Sequence, residues 1–313
     1  MAREVYRSIK DVPQEEFLAG GTGLCGGCGG LLALRLFHKA LGPNAVFVNA
    51  AGCLTLLATF PFSPFRASWL YTAMGSAPAG AQGIRDALDV LIAKGRVPRE
   101  EDVQVVVVTG DGAAHGIGLG PTLAAIQRGL DFWYFCYDNE AYSNTGFQSS
   151  PASPEASHTA TSPPAGVAGR KQDLFALWHV QRPAYVATVS PSHPLDLMDK
   201  VARAARRRGP KLLVSLASCP PGWGVEPADA VEAARQAVEC GVWPLKEAHD
   251  GGAVVHTVVP HRRRPLVEYL ERQQRYRHLF EPARREDVLA RLQAEVDAYW
   301  KAALASQEPA RAP

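Results

Sequence analysis

The feature that most restricts the fold is a β-branched run, Val103-Gln104-Val105-Val106-Val107-Val108-Thr109, that stops at Gly110-Asp111-Gly112. A stretch apolar on both alternations reads as a strand buried on both faces, as in a parallel sheet covered by helices. A helical pattern over 116–128 follows, and residues 132–137 form a second apolar strand ending at Asp138-Asn139. Strand, helix and strand in that order predict a βαβ unit with a right-handed crossover.

The same alternation runs through much of the chain. Strands are predicted over 45–49, 185–189 and 211–216, and helices over 31–41, 77–94, 175–178 and 195–207. The fold class is therefore α/β, a mostly parallel sheet flanked by helices. Past residue 225 the pattern turns helical and charged, with helices over 228–240, 265–279 and 286–304. This divides the chain into an α/β domain over 1–225 and a C-terminal helical arm over 226–313, packing on the same domain or on a partner subunit. Residues 149–169, rich in Ser, Thr, Pro, Ala and Gly without a period, read as a long loop of the kind that often forms a functional lid.

Charge excludes one class of partner. Thirty-three Lys plus Arg against 31 Asp plus Glu leave a formal net charge of +2, far from the basic balance of a chain that tracks nucleic acid. The N-terminus lacks the apolar core of a secretory signal, and the purest apolar run, 105–108, is too short to cross a bilayer. The expectation is a cytoplasmic protein with neither a membrane nor a nucleic-acid partner. In that reducing compartment, six cysteines read as ligands or core residues, not disulfides.

Parallel strands end at one edge of their sheet, where open α/β folds bind ligands. Asp111 and Asn139 therefore face one crevice and offer hard oxygens of the kind that magnesium accepts beside phosphates. Gly110 and Gly112 let the backbone approach phosphates closely, and the helix beginning near Gly116 turns free N–H groups toward them. Cys25 and Cys28 form a Cys-x-x-Cys pair in a glycine loop, Cys53 follows a strand end, and Cys219 precedes Pro220. Each sits at a turn, where a thiolate can be aimed at a metal; spacing alone fits an iron–sulfur cluster or zinc equally. Cys136 and Cys240 lie inside elements and read as packing. His115 could touch a phosphate or be a solvated or capping histidine. The clusters Arg203 with Arg206, Arg207 and Arg208, and His261 with Arg262, Arg263 and Arg264, suit an acidic carrier protein or coenzyme A, or simply a solvated surface.

Gly-Asp-Gly joined after 25 residues to a strand ending in Asp-Asn resembles the magnesium and diphosphate motif of thiamine diphosphate enzymes. The stretch Asp-Asn-Glu-Ala-Tyr-Ser-Asn-Thr-Gly-Phe-Gln over 138–148 is similar to the thiamine-binding segment of β subunits in the 2-oxoacid:ferredoxin oxidoreductase family, pyruvate type. The likeness continues through Cys25-Gly-Gly-Cys28-Gly, Asn49-Ala-Ala-Gly-Cys53, Cys219-Pro-Pro-Gly-Trp223 and Gly241-Val-Trp-Pro-Leu245, and covers residues 20–280. The resemblance implies a thiamine diphosphate-binding fold, with magnesium ligated by the Asp111 and Asn139 side chains and the Ala141 carbonyl. It implies a cofactor site lined by Gly30, Cys53, Gly110, Asp111, Gly112, Ala113, Asn139, Glu140, Ala141, Tyr142, Ser143 and Asn144. Asn144 is the catalytic candidate, beside the reacting centre. Cys25, Cys28, Cys53 and Cys219 would ligate one four-iron four-sulfur cluster.

The implied activity is reversible oxidative decarboxylation of a 2-oxoacid, pyruvate, to acyl-coenzyme A and carbon dioxide, with electrons leaving through the cluster to ferredoxin. Thiamine chemistry also needs a glutamate at the pyrimidine ring, which the resemblance assigns to an α subunit carrying a pyrimidine domain. Ferredoxin clusters would come from γ- and δ-type subunits or fused equivalents, since six cysteines cannot supply an eight-ligand dicluster module as well. The segment 74–84, with Ala77-Pro78-Ala79, is similar to the 2-oxoglutarate branch, so 2-oxoglutarate and branched-chain 2-oxoacids stand as alternative substrates. A non-redox thiamine decarboxylase with structural zinc is the alternative chemistry.

Overall fold

Alternate residues of the central strand serve opposite cores: Val105 and Val107 pack on one face of the sheet, Val106 and Val108 on the other. The computed structural model describes residues 6–59, 61–99 and 103–307. Among them eight strands form one sheet: β1 (Ala45–Ala50), β2 (Ser68–Thr72), β3 (Gln104–Gly110), β4 (Trp133–Asp138), β5 (Tyr185–Val189), β6 (Lys211–Leu216), β7 (Leu245–Ala248) and β8 (Val255–Val258). Their order is β2-β1-β3-β4-β6-β5-β7-β8. The first six are parallel, and β7 and β8 close one edge antiparallel. The helices are α1 (Gly29–Leu41), α2 (Ala77–Ala93), α3 (Leu119–Gln127), α4 (Leu174–His179), α5 (Pro194–Ala204), α6 (Pro220–Trp223), α7 (Ala230–Glu239), α8 (Leu266–Glu271) and α9 (Glu286–Gln307).

Helices α1 and α5 cover one face. Phe37 of α1 meets Trp133 and Phe135 of β4 at ring distances of 5.4 and 5.0 Å, and each such buried side chain contributes about 1.5–3 kcal/mol. The opposite face carries α2, α3, α4 and α7 together with α8 and α9 of the arm, whose Leu270 and Trp300 join the same core as Val107 and Val214. Between the sheet and the arm lies a cavity of 730 Å³, bordered by Asp138, Lys171, Trp243, Lys246, Tyr269 and Tyr299.

The structure departs from expectation in four places. Residues after 225 supply β7 and β8 as well as helices, and β2 was also unforeseen; all three are at or near a sheet edge, where one-sided burial weakens the pattern. The helical turn after β3 begins at Gly112, not near Gly116, and Gly116 itself is non-helical (φ −105°, ψ −113°), separating Gly112–Ile117 from α3. The long loop over 149–169 is no detached flap: Ala152, Ser153 and Ser157 within it are almost fully buried. His115 is neither solvated nor a cap, since it is buried within hearing of Asp138, 4.0 Å away.

Candidate cofactor and cluster site

Because β1 leads to β2 on one side while β3 lies on the other, the order reverses beside β1 and β3, opening a crevice at their carboxyl ends. Asp111 leaves β3 at this edge and Asn139 leaves β4 beside it. In one orientation of its amide, Asn139 Oδ1 stands 2.9 Å from Asp111 Oδ1, 2.8 Å from the Ala141 carbonyl oxygen and 2.9 Å from Ser143 Oγ; turned over, Nδ2 donates to the same atoms. Adjacent oxygens around octahedral magnesium, with bonds of ~2.1 Å, stand about 2.9 Å apart. In the first of these orientations the Asn139 oxygen stands from the Asp111 oxygen and from the Ala141 oxygen at the spacing of neighbouring ligands in such a shell. Burial, then the neighbouring Asp138 charge, push the bare Asp111 carboxyl well above its ordinary range, against the hydrogen bond that Ser150 Oγ donates to Asp111 Oδ2 at 2.5 Å. A cation bound here would reverse that cost.

Gly112 opens the helical turn directly after Asp111. A Cβ there would meet the ring of Tyr142 at 2.1 Å, so only glycine lets the two loops lie together, and Tyr142 Oη donates to the Gly112 carbonyl at 3.3 Å. Ala113 is buried in the same turn. Gly30 and Gly110 both press against the Tyr137 ring, and the Leu54 N–H donates to its hydroxyl at 3.4 Å. Asn144 is exposed in the turn Ser143–Thr145, open to whatever approaches the crevice.

Behind these loops lies a charge network that sequence patterning did not single out. Lys171 Nζ reaches Asp138 Oδ2 at 2.7 Å and Glu140 Oε1 at 2.8 Å, and Arg275 reaches Glu140 Oε2 at 2.6 Å. Burial raises the Asp138 pKa to about 6, Lys171 pulling against it and Glu140 adding to the rise. For Glu140, burial alone would raise the pKa, but Lys171 and Arg275 together hold it below the ordinary value. Its two carboxylate oxygens are thus taken up by Lys171 and Arg275. Burial also keeps His115 neutral, with a pKa of about 3. The network could not be read locally, because Lys171 comes from the loop before α4 and Arg275 from the arm.

The four turn cysteines come to the same edge, and all are free thiols. Cys28 caps α1, accepting from the Leu31 N–H at 3.5 Å, and the next residue ties that helix to the end of β6, the Gly29 N–H donating to the Ser218 carbonyl at 3.0 Å. Cys219 follows immediately, and Cys53 opens a short turn after β1. Burial and then the nearby Cys219, Cys28 and Cys25 thiols raise the Cys53 pKa to about 12, and burial raises those of Cys28 and Cys219. Among the described residues no three His, Cys, Asp or Glu side chains close around a single metal ion. Cys136 and Cys240 are buried in the core.

The basic groups largely meet acids of this chain. Arg203 pairs with Glu247, Arg207 with Asp250, Arg208 with Asp131, Arg263 with Asp297 and Arg264 with Glu239. No helix among the described residues is long and apolar enough to cross a membrane.

Residues 50–215, more than half of the chain, match the family model for the C-terminal TPP binding domain of thiamine pyrophosphate enzymes. Fold and crevice are thus those of a thiamine-binding domain. The pyruvate synthase subunit PorB of Methanothermobacter thermautotrophicus is 42% identical over 291 residues, covering 91% of this chain and 96% of that protein. PorB of Pyrococcus furiosus is 34% identical over 322 residues, 93% and 94% covered, and the ketoisovalerate oxidoreductase subunit VorB of Pyrococcus horikoshii 34% over 287 residues, 88% and 90% covered. A solved 2-oxoglutarate:ferredoxin oxidoreductase from Magnetococcus marinus shares the fold, with a TM-score of 0.55 at 20% identity, over 74% of this chain and 83% of that one. The chain belongs to the thiamine-binding β-subunit family of the 2-oxoacid:ferredoxin oxidoreductases.

Proposed function

We propose that this chain binds thiamine diphosphate, magnesium and one four-iron four-sulfur cluster as a subunit of a cytoplasmic complex that oxidises pyruvate to acetyl-coenzyme A and carbon dioxide, reversibly, with ferredoxin as electron carrier. The observation that carries this reading is the set of facing oxygens on Asp111, Asn139 and Ala141 beside four free cysteines at one sheet edge.

Asp111 and Asn139 would hold magnesium by side chain and Ala141 by its carbonyl, while N–H groups at the start of the Gly112 turn face the diphosphate. Cys25, Cys28, Cys53 and Cys219 would hold the cluster. When bound, the thiamine cofactor supplies the carbanion chemistry that releases carbon dioxide, and the cluster takes electrons one at a time. Asn144, exposed at the rim, can donate a hydrogen bond to oxygen on which negative charge develops. Trp223, fully buried behind Cys219, keeps water from that side of the cluster.

Identity reaches 42% with a PorB against 34% with VorB, and at equal identity the Pyrococcus furiosus PorB alignment spans 93% of the chain against 88% for VorB, which supports pyruvate as substrate. Glu140 is held ionised by Lys171 and Arg275, so it is unsuited to protonate a pyrimidine ring. An α subunit with a pyrimidine domain would supply that glutamate, and γ- and δ-type subunits, or fused equivalents, the ferredoxin clusters. The test compares the anaerobically purified complex with the chain alone, assaying coenzyme A-dependent oxidation of pyruvate, 2-oxoglutarate and 2-ketoisovalerate. The complex is expected to prefer pyruvate and the chain alone to be inactive. Full oxidation by the single chain would overturn the need for partners, and preference for another acid would overturn the substrate.

A further inference from the structure

Glu140 lies between Asn139 and Ala141, two of the three oxygen donors, and its backbone is in the left-handed region at φ 71°, a conformation that persists in a non-glycine residue only when its surroundings enforce it. One of the two cations that enforce it is Arg275, which is 4% exposed. Its Nη2 is 2.6 Å from Glu140 Oε2, and its guanidinium lies 4.3 Å over the ring of Trp223. Trp223 in turn donates from Nε1 to the carbonyl oxygen of Asn139 at 3.1 Å, and it ends α6, whose first turn is capped by Cys219. Gln273 fixes the guanidinium from behind, accepting from Arg275 Nε at 2.8 Å. One planar cation thus touches both the loop that carries the oxygen donors and the turn that carries the fourth cysteine. Lysine could replace its charge but not its stacked plane.

We propose that Arg275 is a positioning residue that fixes the Asn139–Ala141 oxygens relative to Cys219, so that the magnesium site and the cluster are held in one register by the C-terminal arm. The inference rests on the function proposed above. In the intact complex, purified anaerobically, it predicts that Arg275→Met weakens magnesium binding at fixed thiamine diphosphate at least about tenfold and changes the electron paramagnetic resonance signal of the reduced cluster, taken as the difference from a Cys53→Ser complex. Trp223→Phe, which keeps the stack but loses the bond to Asn139, should move both readouts in the same direction by a smaller factor. Arg275→Lys should restore part of the magnesium affinity. Arg263→Met, which breaks an ion pair elsewhere on the arm, should move neither. If Arg275→Met does not assemble, Trp223→Phe and Arg275→Lys decide. Unchanged magnesium affinity and an unchanged cluster signal in these variants, with only thermal stability reduced, would overturn the inference. A wild-type complex that binds neither magnesium with thiamine diphosphate nor a cluster at these cysteines would overturn the functional reading as well, and would do so before any substitution is made.

Discussion

The side-chain amide of Asn139 has one polar atom 2.9 Å from Asp111 Oδ1 and the other 4.0 Å from Cys53 Sγ. One amide thus stands between the sulfur group and the oxygen group. Asn139→Ala removes one oxygen donor and one neighbour of the thiol. Magnesium affinity, measured by calorimetry with thiamine diphosphate present, is expected to fall roughly 10- to 100-fold. Affinity within twofold of wild type would remove Asn139 from the ligand set.

The Gly112 turn makes a steric prediction. Alanine there drives its Cβ into the Tyr142 ring, and the two loops must separate at a cost of about 1–3 kcal/mol. The Gly112→Ala protein should melt lower and bind thiamine diphosphate more weakly, by titration, than wild type. Unchanged binding would show that the loops can part without disturbing the site.

Lys171 neutralises two buried carboxylates. Lys171→Met leaves them facing one another without it, and loss of one partner from a buried ion pair costs about 3–5 kcal/mol. Denaturant unfolding measures the loss. A change below 1 kcal/mol would require Asp138 to take up a proton at neutral pH.

Two buried imidazoles set an acid limit on stability. His38, within an aromatic group of Phe17, Phe47 and Phe65, has its pKa lowered to about 4 by burial, and His115 to about 3. The folded state therefore binds fewer protons than the unfolded chain below the ordinary histidine range. Stability from these neutral rings is complete above about pH 6.5 and is lost as the pH falls toward 4 and then 3. Asp138, raised to about 6, acts in the opposite sense, so the informative curve is wild type minus His38→Phe. That difference should decline between pH 6.5 and 4; a flat difference would mean that His38 is already charged when folded.

Legibility in the sequence followed burial and locality. Strands β3 and β4 are apolar in their interiors and readable from that alone, and the strand ends and turns that carry Asp111, Asn139, Cys53 and Cys219 follow from the same pattern. Strand β7 contains Lys246 and Glu247, and β2 is half exposed at the sheet edge, so neither shows the two-sided pattern. Lys171, Ser150 and Arg275 reach the site across 31, 39 and 135 residues of chain from Glu140, Asp111 and Glu140 respectively. No periodicity encodes such meetings; they follow from how the long loop and the arm fold back over the sheet.

The proposed function depends most on the four cysteines forming one redox cluster beside the thiamine site. Iron, acid-labile sulfide and thiamine diphosphate should be counted in anaerobically purified wild-type and Cys53→Ser complexes, together with pyruvate-dependent ferredoxin reduction. The substitution is expected to remove about four irons and four sulfides per chain, to leave thiamine diphosphate bound, and to stop electron delivery. Zinc in place of iron, or equal iron content and equal ferredoxin reduction in the two complexes, would contradict it.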